Sequence, residues 1–151
     1  MNNIIDYIDW RGDLSFKISP LNEIDAVILS QLAYIDFSDI VSADFSEKIS
    51  LRQVWIFLTT SSDFEKRINF GPLINSEITT LLQKAGESKR FSNIQLCGFV
   101  SSTDIEQEKQ FAAINFILPD KTNFIIYRGT DQSIVGWKED FNMTFKLPIP
   151  A

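Results

Sequence analysis

Three apolar runs crowd into the second half of this 151-residue chain, at 94–101, 111–118 and 123–127, and the links between them are short. A parallel crossover needs roughly a dozen or more residues, so such links join neighbouring antiparallel strands. The first link, around 103–109, is polar. The second is the turn sequence Pro119-Asp120-Lys121-Thr122. The run Phe124-Ile125-Ile126-Tyr127 is apolar at every position. That pattern predicts a central strand covered on both sides.

The residues before these runs read as helices. Ile4, Ile5, Ile8, Trp10, Leu14 and Phe16 suggest a short helix and an extended arm, with Arg11-Gly12-Asp13 as a turn rather than an adhesion signal. Asn22 is a suitable N-cap, and Glu23 and Asp25 favour the positive end of the helix that follows, over Ile24, Val27, Ile28 and Leu32. Ser50 and Gln53 make a capping-box pattern ahead of Leu51, Val54, Trp55 and Leu58, spaced as one helical face. Ser62 and Glu65 repeat the box before Phe64 and Ile68, and Gly71-Pro72 ends that short helix. Ile78, Leu81, Leu82 and Ala85 mark another, with Gly86 as its C-terminal cap. The expected organisation is a mainly helical region over 1–92, then strands and a strand–turn–helix over 93–151.

Composition narrows the function classes. A 44% hydrophobic fraction with thirteen Phe and three Trp gives ample apolar surface for a core. Net charge is −6 and the fourteen basic residues are scattered, so nucleic acid is not an expected partner. No run of about 18 apolar residues occurs, so no membrane span is expected. The N-terminus lacks a secretory pattern, which makes a cytoplasmic protein the default. Asn-Ile-Phe-Lys-rich usage associates with an AT-rich bacterial genome. Cys97 is the single cysteine and lies among apolar residues, which reads as a small buried hydrophobe. Asp36, Asp39, Asp44 and Glu47 lack the alternation of a calcium loop, so capping and solvation of their own loop is the better reading. No metal is expected at these acids.

The segment with a chemical pattern follows the last run: Phe124-Ile-Ile-Tyr-Arg-Gly-Thr-Asp-Gln-Ser-Ile-Val-Gly-Trp-Lys-Glu-Asp140. Gly129 permits a sharp turn, and Thr130 offers a backbone N–H and a hydroxyl together, as acyl transfer needs where an oxyanion develops. This stretch resembles the F-R-G-[ST] … W-x-x-D signature of class 3 lipases. It also resembles a bacterial lipase-like family of the same superfamily, whose opening is similar to residues 4–16 and whose other blocks are similar to 22–34 and 136–143.

The resemblance implies an α/β fold: the N-terminal portion of an α/β-hydrolase, with helices, a mixed or antiparallel three-strand segment and a strand–turn–helix. It implies an oxyanion donor at Thr130, and Arg128, Gly129, Trp137 and Asp140 as the structural frame, with Arg128 and Asp140 paired; Asp131 is the alternative catalytic candidate, orienting the loop or closing off solvent. It implies a small acyl or ester substrate for the complete protein, with no metal or organic cofactor.

The chain has no histidine and no G-x-S-x-G. It is therefore expected to be an inactive, truncated N-terminal piece of a lipase- or esterase-like serine hydrolase. The competing expectation is a non-catalytic binding or scaffold domain whose sheet exposes an edge after Tyr127. Both expectations include self-association through that edge.

Overall fold

The computed structural model describes residues 4–68, 75–104 and 109–128. In chain order these are α1 (Ile4–Arg11), α2 (Glu23–Leu32), β1 (Ile49–Ser50), α3 (Leu51–Thr60), α4 (Phe64–Arg67), α5 (Asn75–Glu87), β2 (Gln95–Asp104), β3 (Lys109–Ile117) and β4 (Asn123–Tyr127). The fold is mixed, with helices beside one four-stranded sheet in the order β1-β2-β3-β4, every neighbouring pair antiparallel. The three-strand expectation missed β1, which is only two residues long. Nothing in this arrangement is specific to an α/β-hydrolase fold. Among the described residues no helix is long and apolar enough to cross a membrane.

Local chemistry explains most boundaries. The Asn22 carboxamide accepts from the Ile24 and Asp25 N–H groups at 2.9 and 3.1 Å, and Asp25 closes the capping box on the Asn22 N–H at 3.0 Å. At α3 the Ser50 hydroxyl accepts from the Gln53 N–H at 3.2 Å and Gln53 reciprocates at 3.0 Å. The first two N–H groups of α3, which a helix cannot satisfy internally, donate to Ile94 and Ser92 carbonyls. The start of α3 is thereby sewn to the start of β2.

Two expected caps do not form. Ser62 and Glu65 make no box; α4 has Asp63 as its N-cap without a side-chain cap bond. The Asp63 carboxylate is instead held by the Ser61 hydroxyl and by Arg67, whose Nε donates at 2.9 Å. Gly86 does not end α5, which runs one residue further. An added Cβ there would lie 2.7 Å from the Trp55 Cβ, so Gly86 serves close packing of α5 on α3.

One face of the sheet joins the helices in a single core. Leu96, Ile114 and Phe116 pack there with Ile28, Leu29, Leu32, Leu51, Val54, Leu58, Leu81 and Leu82, and Phe124 and Ile126 lie at its margin. The two-sided burial expected of β4 belongs to β3, where Ala112 through Phe116 are all buried. In β4 exposure alternates, and Ile125 and Tyr127 are 52% and 69% exposed. The reason is position: β3 lies between β2 and β4, whereas β4 ends the strand order among the described residues.

β2 carries a register shift between Cys97 and Val100, with Gly98 at φ +64°. A Cβ at Gly98 would meet the Phe45 ring at 2.6 Å. Glycine is therefore required twice over, for its left-handed backbone and for the ring against it.

Candidate functional site

Four features could carry function, and geometry separates them. The first is the segment singled out from sequence. Gly129, Thr130, Asp131, Trp137 and Asp140 lie outside the described residues, as does the expected Arg128–Asp140 pair. Arg128 is described: its N–H donates to the Ala112 carbonyl at 2.8 Å and Nη1 reaches the Tyr34 carbonyl at 3.5 Å. These bonds anchor the end of β4 to β3 and to the chain just after α2.

The second is a buried charge network that sequence reading missed. Arg90 and Asp25 are 1% and 0% exposed. Arg90 Nε and Nη2 donate to the two Asp25 carboxylate oxygens at 2.8 and 2.5 Å. Nη1 donates to the Leu14 and Ser19 carbonyls, and Nη2 also to that of Pro20. Tyr7 adds a hydroxyl to Asp25 at 3.1 Å, and the Phe16 ring lies 4.1 Å from the guanidinium carbon. All five guanidinium N–H groups thus have acceptors. Burial works against the charged Arg90, but hydrogen bonding and pairing with Asp25 outweigh it and raise its pKa above the ordinary arginine value. A fully satisfied cation with no solvent access has no capacity left for a ligand; this network holds the 12–20 arm against α2. Only an acidic residue in a first helical turn hinted at it.

The third is a shallow cleft of about 590 Å³ between α1 and α5, lined by Asp9, Asp13, Lys84, Glu87 and Lys89 among others. The Lys84 ammonium pairs with Asp9 across it. Its charges are mixed and exposed, which favours no ligand class. The loop acids serve their own turns: Asp36 accepts from the Ser38 N–H and hydroxyl, and Asp44 from the Ser46 N–H. Among the described residues no three His, Cys, Asp or Glu side chains converge as metal ligands. Cys97 is fully buried, as its apolar neighbours imply, and receives the Asn115 amide at 3.6 Å.

The fourth feature is β4 itself. Arg128 donates to Ala112, and Leu118 donates to Thr122, at the two ends of the β3–β4 ladder. Hydrogen-bonded pairs alternate along an antiparallel ladder, so 114/126 and 116/124 are the bonded pairs between them. The backbone N–H and C=O groups of Asn123, Ile125 and Tyr127 consequently face away from β3. Their side chains project from the sheet face opposite the helices. There Ile125 and Tyr127 join Val100, 38% exposed, and Phe111, whose ring centroid lies 6.0 Å from that of Tyr127. Beneath them Asn115 is buried, with Nδ2 donating to Asn123 at 2.8 Å and Oδ1 without a partner among the described residues.

Comparison with known proteins revises the sequence-based reading of family. A family model described as Mbeg1-like matches residues 85–151. The matched stretch contains β2, β3, β4 and the Arg128–Asp140 segment, and it is less than half of the chain. No curated protein and no solved structure matches. The resemblance to class 3 lipases and to a lipase-like α/β-hydrolase family is therefore corrected: over 85–151, which include the Arg128–Asp140 pattern, the match is to an Mbeg1-like model, and neither there nor over 4–16 and 22–34 is there a match to a lipase or hydrolase model. A pattern as short as these few Gly, Arg, Trp and Asp positions does not by itself specify a family.

Proposed function

We propose that this chain acts as a non-catalytic binding domain that takes an extended peptide segment onto β4. The observation that carries the reading is a coincidence on two residues. Ile125 and Tyr127 turn their backbone hydrogen-bonding groups away from β3, and the same residues expose large apolar side chains. Strand addition uses both: main-chain bonds give affinity, and alternate side chains give selectivity. The opposite edge of the sheet is interrupted: β1 covers only Gln95 and Leu96, Gly98 bends β2 just beyond them, and the Phe99 N–H is taken by the Ser42 carbonyl. Strand β4 contains no charge and no proline, the usual guards of a sheet edge.

Amide hydrogen exchange on dilute protein tests this reading. The Phe124 and Ile126 amides should be protected, and those of Ile125 and Tyr127 should exchange freely. Adding a synthetic peptide of alternating Val and Thr should slow both at least several-fold. Protection of Ile125 and Tyr127 in the free dilute protein, or no response to the peptide, would sink the proposal.

A further inference from the structure

We infer that the partner best matched to β4 is a second copy of β4, paired antiparallel about a two-fold axis at Ile125; this rests on the binding reading above. Three observations on the strand favour it. A symmetric antiparallel pair can be centred on a hydrogen-bonded or on a non-hydrogen-bonded position. Centred on Phe124 or Ile126, whose own groups are used by β3, it would leave one outward residue of β4 without a partner inside the strand. Of the three outward residues, only Ile125 as centre engages all of them. It pairs with itself, and each Asn123 pairs with the other copy's Tyr127. Three hydrogen-bonded pairs contribute about six main-chain bonds.

The side chains agree with that register. On the helix-packed face Phe124 comes opposite Ile126 of the second copy, extending an apolar margin that is half-buried in one chain alone. On the other face Ile125 meets Ile125, and Tyr127 stands beside Asn123. No charge opposes a like charge within the five paired positions. A slip of one residue would set helix-facing side chains against outward ones. The symmetry axis is perpendicular to the sheet, so the helices of both copies lie on the same side of one continuous sheet.

Strands this short give a small interface, below the roughly 1,200–2,000 Å² of stable complexes. The association is therefore weak.

Cysteine trapping reads the register directly, because Cys97 is fully buried and does not compete. Bonded antiparallel pairs have Cα atoms about 5.5 Å apart, inside the roughly 4.4–6.8 Å range of disulfides. Oxidised I125C protein should yield a covalent dimer. N123C and Y127C should not dimerise alone, since like residues would be roughly 14 Å apart along the strands, yet an equal mixture of the two should cross-link. Ile125→Lys, at an exposed position, should abolish the weak dimer in sedimentation at millimolar concentration. Failure of I125C to cross-link, or cross-linking by all three variants singly, overturns the self-pairing. If the Val-Thr peptide still protects Ile125 and Tyr127 in that case, strand binding survives and the occupant is a different chain. If those amides are protected in dilute monomer, both readings fall.

Discussion

Arg90 grips Asp25 through two parallel hydrogen bonds across 65 residues of sequence, and neither side chain reaches solvent. Asp25 is also the third residue of α2 and closes its capping box, so one carboxylate serves helix, arm and cation together.

Asp25→Ala should leave a buried guanidinium without its counter-charge, at a cost of about 3–5 kcal/mol. Arg90→Lys should also destabilise, because an ammonium cannot reproduce the fork or reach all three carbonyls. Urea unfolding followed by tryptophan fluorescence measures both. A loss below about 1 kcal/mol for Asp25→Ala, the level of an ordinary surface pair, would show that the network does not hold the arm.

Gly86→Ala pits two effects against each other. Replacing glycine inside a helix gains up to about 1 kcal/mol of propensity. The new methyl group would sit 2.7 Å from the Trp55 Cβ, an atom that moves only if α3 moves, and 3.0 Å from its Cγ. Overpacking of this kind costs about 1–3 kcal/mol, so a net loss of stability is expected, with altered Trp55 fluorescence. A higher melting temperature would show that α3 and α5 separate easily.

Asp63 links pH to the α4 region. Hydrogen bonds from Arg67 and Ser61 lower its pKa from 3.8 to about 2. The unfolded chain therefore binds this proton first as pH falls. The contribution is complete above about pH 4 and is lost between there and about pH 2. Arg67 also donates to the Ser38 carbonyl at 2.6 Å, so acid should loosen the 36–41 loop along with α4. Asp63→Asn should flatten the stability profile across that interval in thermal melts, while leaving its shape above pH 5 unchanged. An identical acid slope in the variant would assign the effect to other carboxylates.

The parts of the fold that were legible in sequence are those specified by neighbours in the chain. Asn22 and Ser50 announced α2 and α3, because a cap is a bond between residues two or three positions apart. Short connections announced the antiparallel order of β2, β3 and β4. What was not legible depends on residues far apart. Gly86 looks like any helix-ending glycine until Trp55 is placed against it. Arg90 sits in a polar stretch and becomes a core residue only through Asp25 and three carbonyls of the arm. An unbroken apolar run marks a strand but not its place in the sheet, so β4 read as central while β3, with its lone Asn115, has the two-sided burial. The strand–turn–helix resemblance drew attention to Thr130 and away from Ile125 and Tyr127, which carry no motif at all.

Ser50 is at once the last residue of β1 and the cap of α3. Among the described residues, then, β1 covers only Gln95 and Leu96 of β2. In the language of polymerisation α3 is a chain stop: from Leu51 on the backbone turns into helix, and the β1–β2 ladder cannot run on past Gln95.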